Sequence, residues 1–409
     1  MITTGVWLLL AACTVAAGPV PVPAFHGAEG FGANTPGGRG GKVPRIIVFR
    51  VSGVIDLRAP LEITTPFITI AGQTAPGGGV CLQRFGCKIE THDVIIRHLR
   101  FRRGDAAKKQ LDALSVYKSQ NVIIDHCSAS WSTDECLSVT GEGCTDVTVQ
   151  WCLSTESLNE SVHAKGSHGY GSLIRTDGDI TFHHNLYAHH KTRCPRPGTY
   201  GKERGILLDF RNKVIYDWGN PTGYTSQDKA TINYVGNYLK PGPSTTNKNA
   251  VFKIGVHATK MFVAGNHLVG GGRENSDNWL MIQRSEPRHR ADEPLAGAPV
   301  QTETATDAYR VVLGNAGATV PTRDPVDRRI VEQVGKGTGR IIDSQNEVGG
   351  WPEYDSTVSP RASDNDGMPD DSERSHRLDP TKRNANGRDL DPNYDNVEVY
   401  INSLLPTPG

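Results

Sequence analysis

The sequence predicts an all-β chain wound as a parallel β-helix, and three observations predict it. Short runs of β-formers recur with one design at 68–73, 94–99, 122–127, 147–152, 180–185, 229–234 and 261–266. Aligned on their last common column, they place Gln73, Leu99, Cys127, Cys152, Asn185, Asn212, Asn237 and Asn266 at intervals of 25 to 33 residues. That spacing is too long for a hairpin ladder and has no helical period. It fits one turn of a coil that returns to the same azimuth. Finally, 45 glycines with only 7% aromatic residues suit a fold made of many tight corners.

A solenoid grows by adding rungs, so 409 residues make one long solenoid and a small appendix. Basic and acidic residues balance at 44 each, which gives no electrostatic footprint for nucleic acid or an anionic membrane. At the amino terminus, residues 6–17 are apolar apart from Thr14 and too short to span a bilayer as an ordinary helix. Residues 1–24 therefore read as an export signal. It is either a plain secretory signal cleaved near Ala17 or Ala24, or a lipoprotein signal whose box Leu10-Ala-Ala-Cys13 leaves Cys13 lipidated. Both place the mature chain outside the cytoplasm, as a secreted, cell-surface or periplasmic protein. No other stretch is a candidate membrane span, and a solenoid with capped ends is expected to be a monomer.

The solenoid is expected over 27–354, with its rungs clearest to residue 285. A glycine-rich entry loop at 27–44 leads into a first strand at 45–51. Excursions at 102–111, 153–179 and 189–204 collect on one side, where solenoids build binding faces. The asparagines at 185, 212, 237 and 266 form a column whose amides bond to the neighbouring rung and satisfy backbone groups at a tight corner. His98, His126, Trp151 and His184 share another column and read as a ring stack, not as metal ligands. Seven cysteines follow Cys13. Cys81 with Cys87, or Cys136 with Cys144, is close enough to pin a loop, whereas Cys127 and Cys152 read equally as stacked thiols.

Several motifs resemble the pectate lyase superfamily, in particular the family 1 polysaccharide lyases. They are Ala28-Glu-Gly-Phe-Gly-Ala33, Ile68-Thr-Ile-Ala-Gly-Gln-Thr-Ala-Pro-Gly77, Val122-Ile-Ile-Asp-His-Cys127, Ile180-Thr-Phe-His-His-Asn185 and Arg193-Cys-Pro-Arg196. The resemblance implies a right-handed parallel β-helix and a Ca²⁺-dependent lyase that cleaves pectate or homogalacturonan by β-elimination. Such an enzyme removes the C5 proton, which is alpha to the sugar carboxylate, and expels the C4 oxygen. Ca²⁺ stabilises the charge that flows into that carboxylate and ties the acidic polymer to the protein.

By the same resemblance Arg193 matches the catalytic arginine, with substrate clamping as its other reading, and Arg196 is expected to bind a sugar carboxylate. Arginine is an unusual base, its ordinary pKa being above about 12. Asp112 and Asp134 match two acidic calcium ligands, while the other two family acids fall on Gln110 and Ser138; Asp105 and Glu135 are the nearby replacements. The family's substrate-binding lysine falls near Gly171, so Lys165 or His168 is expected to take its place. A histidine base would suit elimination nearer neutral pH.

The acidic segment 355–409 is expected to be a separate calcium-binding extension. Asp364, Asp366 and Asp370 alternate around Gly367, Glu373 follows, and Asp389 and Asp391 lie further on. This spacing resembles thrombospondin type 3 or dockerin-like repeats. Two rival functions remain open at this level. A glycoside hydrolase would need paired carboxylates across the bond, and no such pair stands at the end of a rung. A non-catalytic acidic-glycan-binding solenoid needs no base at all.

Overall fold

The alternating Val/Ile runs turn one set of side chains inward, because successive residues of a strand face opposite ways. Val94 and Ile96, Val122 and Ile124, Val147 and Val149, and Ile180 and Phe182 are all fully buried and line one continuous core. A computed structural model describes residues 21–200, 204–226, 229–255 and 258–405. Residues 1–20 of the expected export signal, with the lipidation expected at Cys13, lie outside the described residues. From Pro23 onward the chain is packed: Ala24 and Phe25 are buried against Ile95 and Ile123.

Among the described residues, parallel strands stack into three walls of a right-handed β-helix. The first wall has nine strands, from Ile46–Val48 to Thr259–Ala264. The second also has nine, from Gly53–Asp56 to His267–Leu268. The third has six, from Leu61–Ile63 to Arg196–Gly198, and three short strands ending at Ile282–Gln283 continue the coil. The expected excursions are shorter than predicted. Leu153–Thr155, Leu173–Arg175 and Arg196–Gly198 are strands within them, and runs of three residues carry too little periodicity to be read.

From the third rung onward, the corner between the first two walls is a single left-handed residue. His98, His126, Trp151, His184 and Asn212 have φ between 50 and 54°, and Gly236 and Gly265 occupy the same corner above them. The rings do stack, with centroids 4.9, 5.9 and 4.2 Å apart along His98, His126, Trp151 and His184. Register corrects the asparagine column. His183 pairs with Arg211 and Arg211 with Val235, so Asn185 and Asn237 flank Lys213, not Asn212. Asn212 sits at the corner and bonds outward to Gly236 O and Glu303 O. The remaining amides bond as expected. Cys152 N donates to Asn185 Oδ1 at 2.7 Å, Lys213 N to Asn237 Oδ1 at 3.0 Å and Asn237 N to Asn266 Oδ1 at 2.9 Å. Burial holds the Lys213 ammonium well below its usual range, with its Nζ 4.9 Å from the Phe210 ring centre. Because Asn237 accepts from one rung and donates to the next, Asn237→Ala should lower stability by about 1–3 kcal/mol in a denaturant titration.

All seven described cysteines are buried free thiols, which corrects the proposed disulfide pairs. Cys81 and Cys87 lie on different walls, and Cys127 N donates to Cys152 Sγ at 3.4 Å within the stack.

Two coverings complete the body. The segment around Gly30 lies flat on the first wall, where Gly32 N donates to Thr148 Oγ1 and Phe31 N to Thr181 Oγ1. A Cβ on Gly32 would stand 2.4 Å from Val122 O, so no larger residue fits there. After the last strand, helices Ala305–Asn315 and Pro325–Lys336 bury Val312, Ile330 and Val334 on Leu153, Leu186 and Val214 of the second wall. The carboxy-terminal segment packs Met368, Ala385, Val397 and Ile401 on Ala71, with Ile46 and Val48 beside them. Arg39 and Glu398 close this contact with a buried ion pair at 2.9 Å. No helix among the described residues is long and apolar enough to cross a membrane.

Candidate active site

Stacking brings residues far apart in sequence to one wall, since neighbouring rungs are about 4.8 Å apart. Leu114 pairs with Leu137, which puts Asp112 level with Glu135 two residues earlier. Glu135 bridges to Tyr170, and Tyr170 bridges to Thr192, the residue before Arg193. Asp112, Glu135, Tyr170 and Thr192 thus occupy successive levels at the entrance to the third wall. Asp134 joins them, and the carboxylates of Asp112, Asp134 and Glu135 have oxygens within 4.8 Å of one another.

The two neutral residues at the expected acid positions still serve the trio. Gln110 Nε2 donates to Asp134 Oδ2 at 3.2 Å, and Ser138 hydrogen-bonds Asp112. Burial, followed by the Asp134 charge, pushes Asp112 up to about 8. Burial works against the Asp134 charge as well, but the hydrogen bond and charge of His168, with His163 and Gln110, outweigh it and lower its pKa. Behind the trio the fully buried Arg103 guanidinium is held by Thr133 and Lys109 O, and burial pushes it down to about 10.

Arg193 faces this trio. Its Nη1 is ion-paired with Glu135 Oε1, its Nε donates to Tyr224 Oη at 3.3 Å, and its guanidinium lies 4.1 Å from the Tyr170 ring centre. A groove of about 240 Å³ continues from it, lined by Leu173, Arg175, Arg193, Arg196, Tyr224 and Ser226. Three arginines along one groove suit a polyanion, because the planar guanidinium fork matches a carboxylate.

The remaining expected residues divide. His168 reaches the site, with Nε2 2.8 Å from Asp134 Oδ1, but it is buried between His163 and Tyr170 and acts on Asp134. Lys165 is exposed on the loop, and its backbone N–H donates to His163 Nδ1. Asp105 stands apart from the trio, its carboxylate taken by Ser344 Oγ and Gln345 Nε2, each at 3.0 Å. His163, Tyr170, Tyr224 and Arg103 were not anticipated. His163 was legible only through its spacing from His168.

Hard carboxylate oxygens at this spacing fit Ca²⁺, and the repulsion that raises Asp112 is what a bound cation would relieve. The donor set of Asp134, His163 and His168 does not fit a metal. Its rings lie face to face, 3.4 Å apart and 10° from parallel, so their in-plane lone pairs cannot converge on one ion.

No protein-family model matches the chain. The chain is similar to "Probable pectate lyase C" of Aspergillus flavus, 33% identical over an alignment of 420 positions, gaps included, that covers 94% of each chain. The protein of the same name in Emericella nidulans is 33% identical over 416 aligned positions, covering 94% of this chain and 93% of the relative. Pectate lyase 1 of Pectobacterium carotovorum is 27% identical over 164 residues, 37% of this chain and 42% of that one. Among solved structures, the cedar pollen allergen jun a 1 shares the fold, with a TM-score of 0.51 and 18% identity over 71% of this chain and 92% of that chain. A common solenoid alone does not account for a match at one third identity over nearly the full length, and the chain belongs to the pectate lyase family.

Proposed function

We propose that this protein is a Ca²⁺-dependent endo-lyase that cleaves pectate by β-elimination outside the cytoplasm. The observation that carries the reading is Arg193 poised between a carboxylate trio and a groove lined by Arg175 and Arg196. Asp112, Asp134 and Glu135 would hold Ca²⁺, which would supply Lewis-acid stabilisation of the charge developing on the uronate carboxylate.

The chain's own residues do the rest. Arg175 and Arg196 bind sugar carboxylates along the groove and fix the chain's register. Tyr170 and Tyr224 orient the Arg193 guanidinium by ring face and hydroxyl. Arg193, once it has given up a proton, takes the C5 proton. The C5–H electron pair becomes the C4–C5 double bond, the C4–O bond breaks, and the departing oxygen takes a proton from solvent water. His168 and His163 hold Asp134 in place and in its charged form.

The test is ultraviolet absorbance of the unsaturated product on polygalacturonate, methylated pectin and alginate, with Ca²⁺ and with EDTA. Absorbance should rise on polygalacturonate with Ca²⁺ and stay flat with EDTA. New reducing ends without unsaturation would mean hydrolysis, and retention on the polymer with neither signal would mean a binding solenoid.

A further inference from the structure

The carboxy-terminal segment holds a second group of acids, and its geometry differs from that of the first. Asp364, Asp366 and Glu373 present oxygens within 4.8 Å of one another. Glu373 is fully buried, and its Oε2 has no hydrogen-bond partner. Asp364 Oδ2 and Asn384 Oδ1 are likewise buried and unpartnered. Asn384 is tied to the group, its Nδ2 donating to Glu373 Oε1 at 3.3 Å and its N–H to Asp366 Oδ2 at 3.0 Å.

These carboxylates form no ion pair among the described residues, and the Arg383 Nε beside them donates instead to the backbone O of Asp364 at 3.0 Å. Among the described residues, Asp370 pairs with Arg361 and Arg374, Asp379 with Lys382 and Asp395 with Arg388, whereas Asp364, Asp366 and Glu373 enter no salt bridge. A buried acceptor left unmade costs about 1–3 kcal/mol, and more when charged. Two of these unpartnered oxygens belong to the clustered carboxylates, and the third is on the Asn384 amide that bonds Glu373. The other expected acids stand elsewhere: Asp370 accepts from Ser363 N and Oγ, Asp389 from Asn396 Nδ2, and Asp391 from Asn393 N in a turn.

We propose that Asp364, Asp366, Glu373 and the side-chain carbonyl of Asn384 form a Ca²⁺ site that clamps the carboxy-terminal segment onto the first rungs of the solenoid. Four or more hard oxygen donors without nitrogen or sulfur select Ca²⁺ over zinc or copper. Gly367, at φ 109°, gives the turn that brings Asp364 and Asp366 back toward Glu373. Met368, two residues after Asp366, and Ala385, next to Asn384, are among the residues that pack on Ala71. Cation binding therefore holds the two segments of the clamp together over the end of the β-helix. The site lies apart from the Arg193 groove, and its existence does not depend on the lyase reading.

The experiment is calorimetric Ca²⁺ titration and thermal unfolding of the full chain, wild type against Glu373→Gln. The variant should bind one Ca²⁺ fewer and lose the wild type's Ca²⁺-dependent rise in Tm. In EDTA it should unfold no earlier than wild type, because it removes a buried charge from a repelling group. The order of the two proteins should thus reverse between EDTA and Ca²⁺. Asp364→Asn, which keeps the turn geometry, should behave the same way and covers misfolding of the first variant. Product formation at saturating Ca²⁺ should persist in both. Equal stoichiometry in variant and wild type, or a Tm difference unaffected by Ca²⁺, overturns the proposal.

Discussion

Arg193→Ala should reduce kcat for product formation by about 10²–10⁴-fold, the range for loss of a positioned base. Arg193→Lys should fare nearly as badly. It keeps a positive charge but loses the planar fork that contacts Glu135, Tyr224 and the Tyr170 ring together. The split between kinetic constants separates the two roles open to this residue. A clamp binds ground state and transition state alike, so its loss raises KM and spares kcat. Were Arg193→Lys to retain kcat within about tenfold, the residue would be a clamp and the base would lie elsewhere. The Tm of each variant must be followed, because removing Arg193 leaves the Glu135 carboxylate, 6% exposed, without its partner.

The largest stability effect is expected at the second wall. Arg102 is fully buried and bonds Asp324 Oδ1 at 2.9 Å, Asp327 Oδ1 at 2.7 Å and Ser130 Oγ at 2.7 Å. Asp324 also caps the helix Pro325–Lys336 by accepting from Asp327 N. Asp324→Ala should destabilise the protein by about 3–5 kcal/mol, because breaking a buried pair strands the remaining charge. Loss of the cap comes on top of that. The same network sets an acid limit. Burial opposes the Asp324 charge, but Arg102, Arg100 and the Asp327 and Tyr354 hydrogen bonds outweigh it and lower its pKa to about 2. A depressed folded pKa means the stabilisation is complete above about 4 and fades as pH falls through about 2. By linkage that is about 2 kcal/mol. A denaturant series from pH 5 to pH 2 should show this decline in wild type and a flatter slope in Asp324→Asn.

Legibility differed from residue to residue. The rungs were readable because a strand's period of two, repeated once per turn, leaves its mark in every Val/Ile run. The ring column was readable for the same reason. The asparagine column slipped by one residue at Asn212, since residue type pointed to asparagine while the ladder's register placed Lys213 there. Glu135 was identified by its nearness in sequence to Asp134, and stacking above Asp112 makes it a member of the trio. Asp105 was chosen by the same nearness, yet its loop turns toward Ser344 and Gln345. The clamp's Asn384 carried no signal, because an asparagine eleven residues beyond Glu373 falls outside the spacing of the acidic loop.

From sequence alone came the coil, its corners, its export signal as an expectation and the resemblance that singled out Asp112, Asp134 and Arg193. These follow from local preferences and from periodicity, which the order of residues fully records. Which carboxylates meet, which histidine bonds Asp134 and which oxygens stay unpartnered were decided by the tertiary structure. Loops of unequal length separate the rungs, and only the closed hydrogen-bond ladder fixes how far each loop carries its side chains.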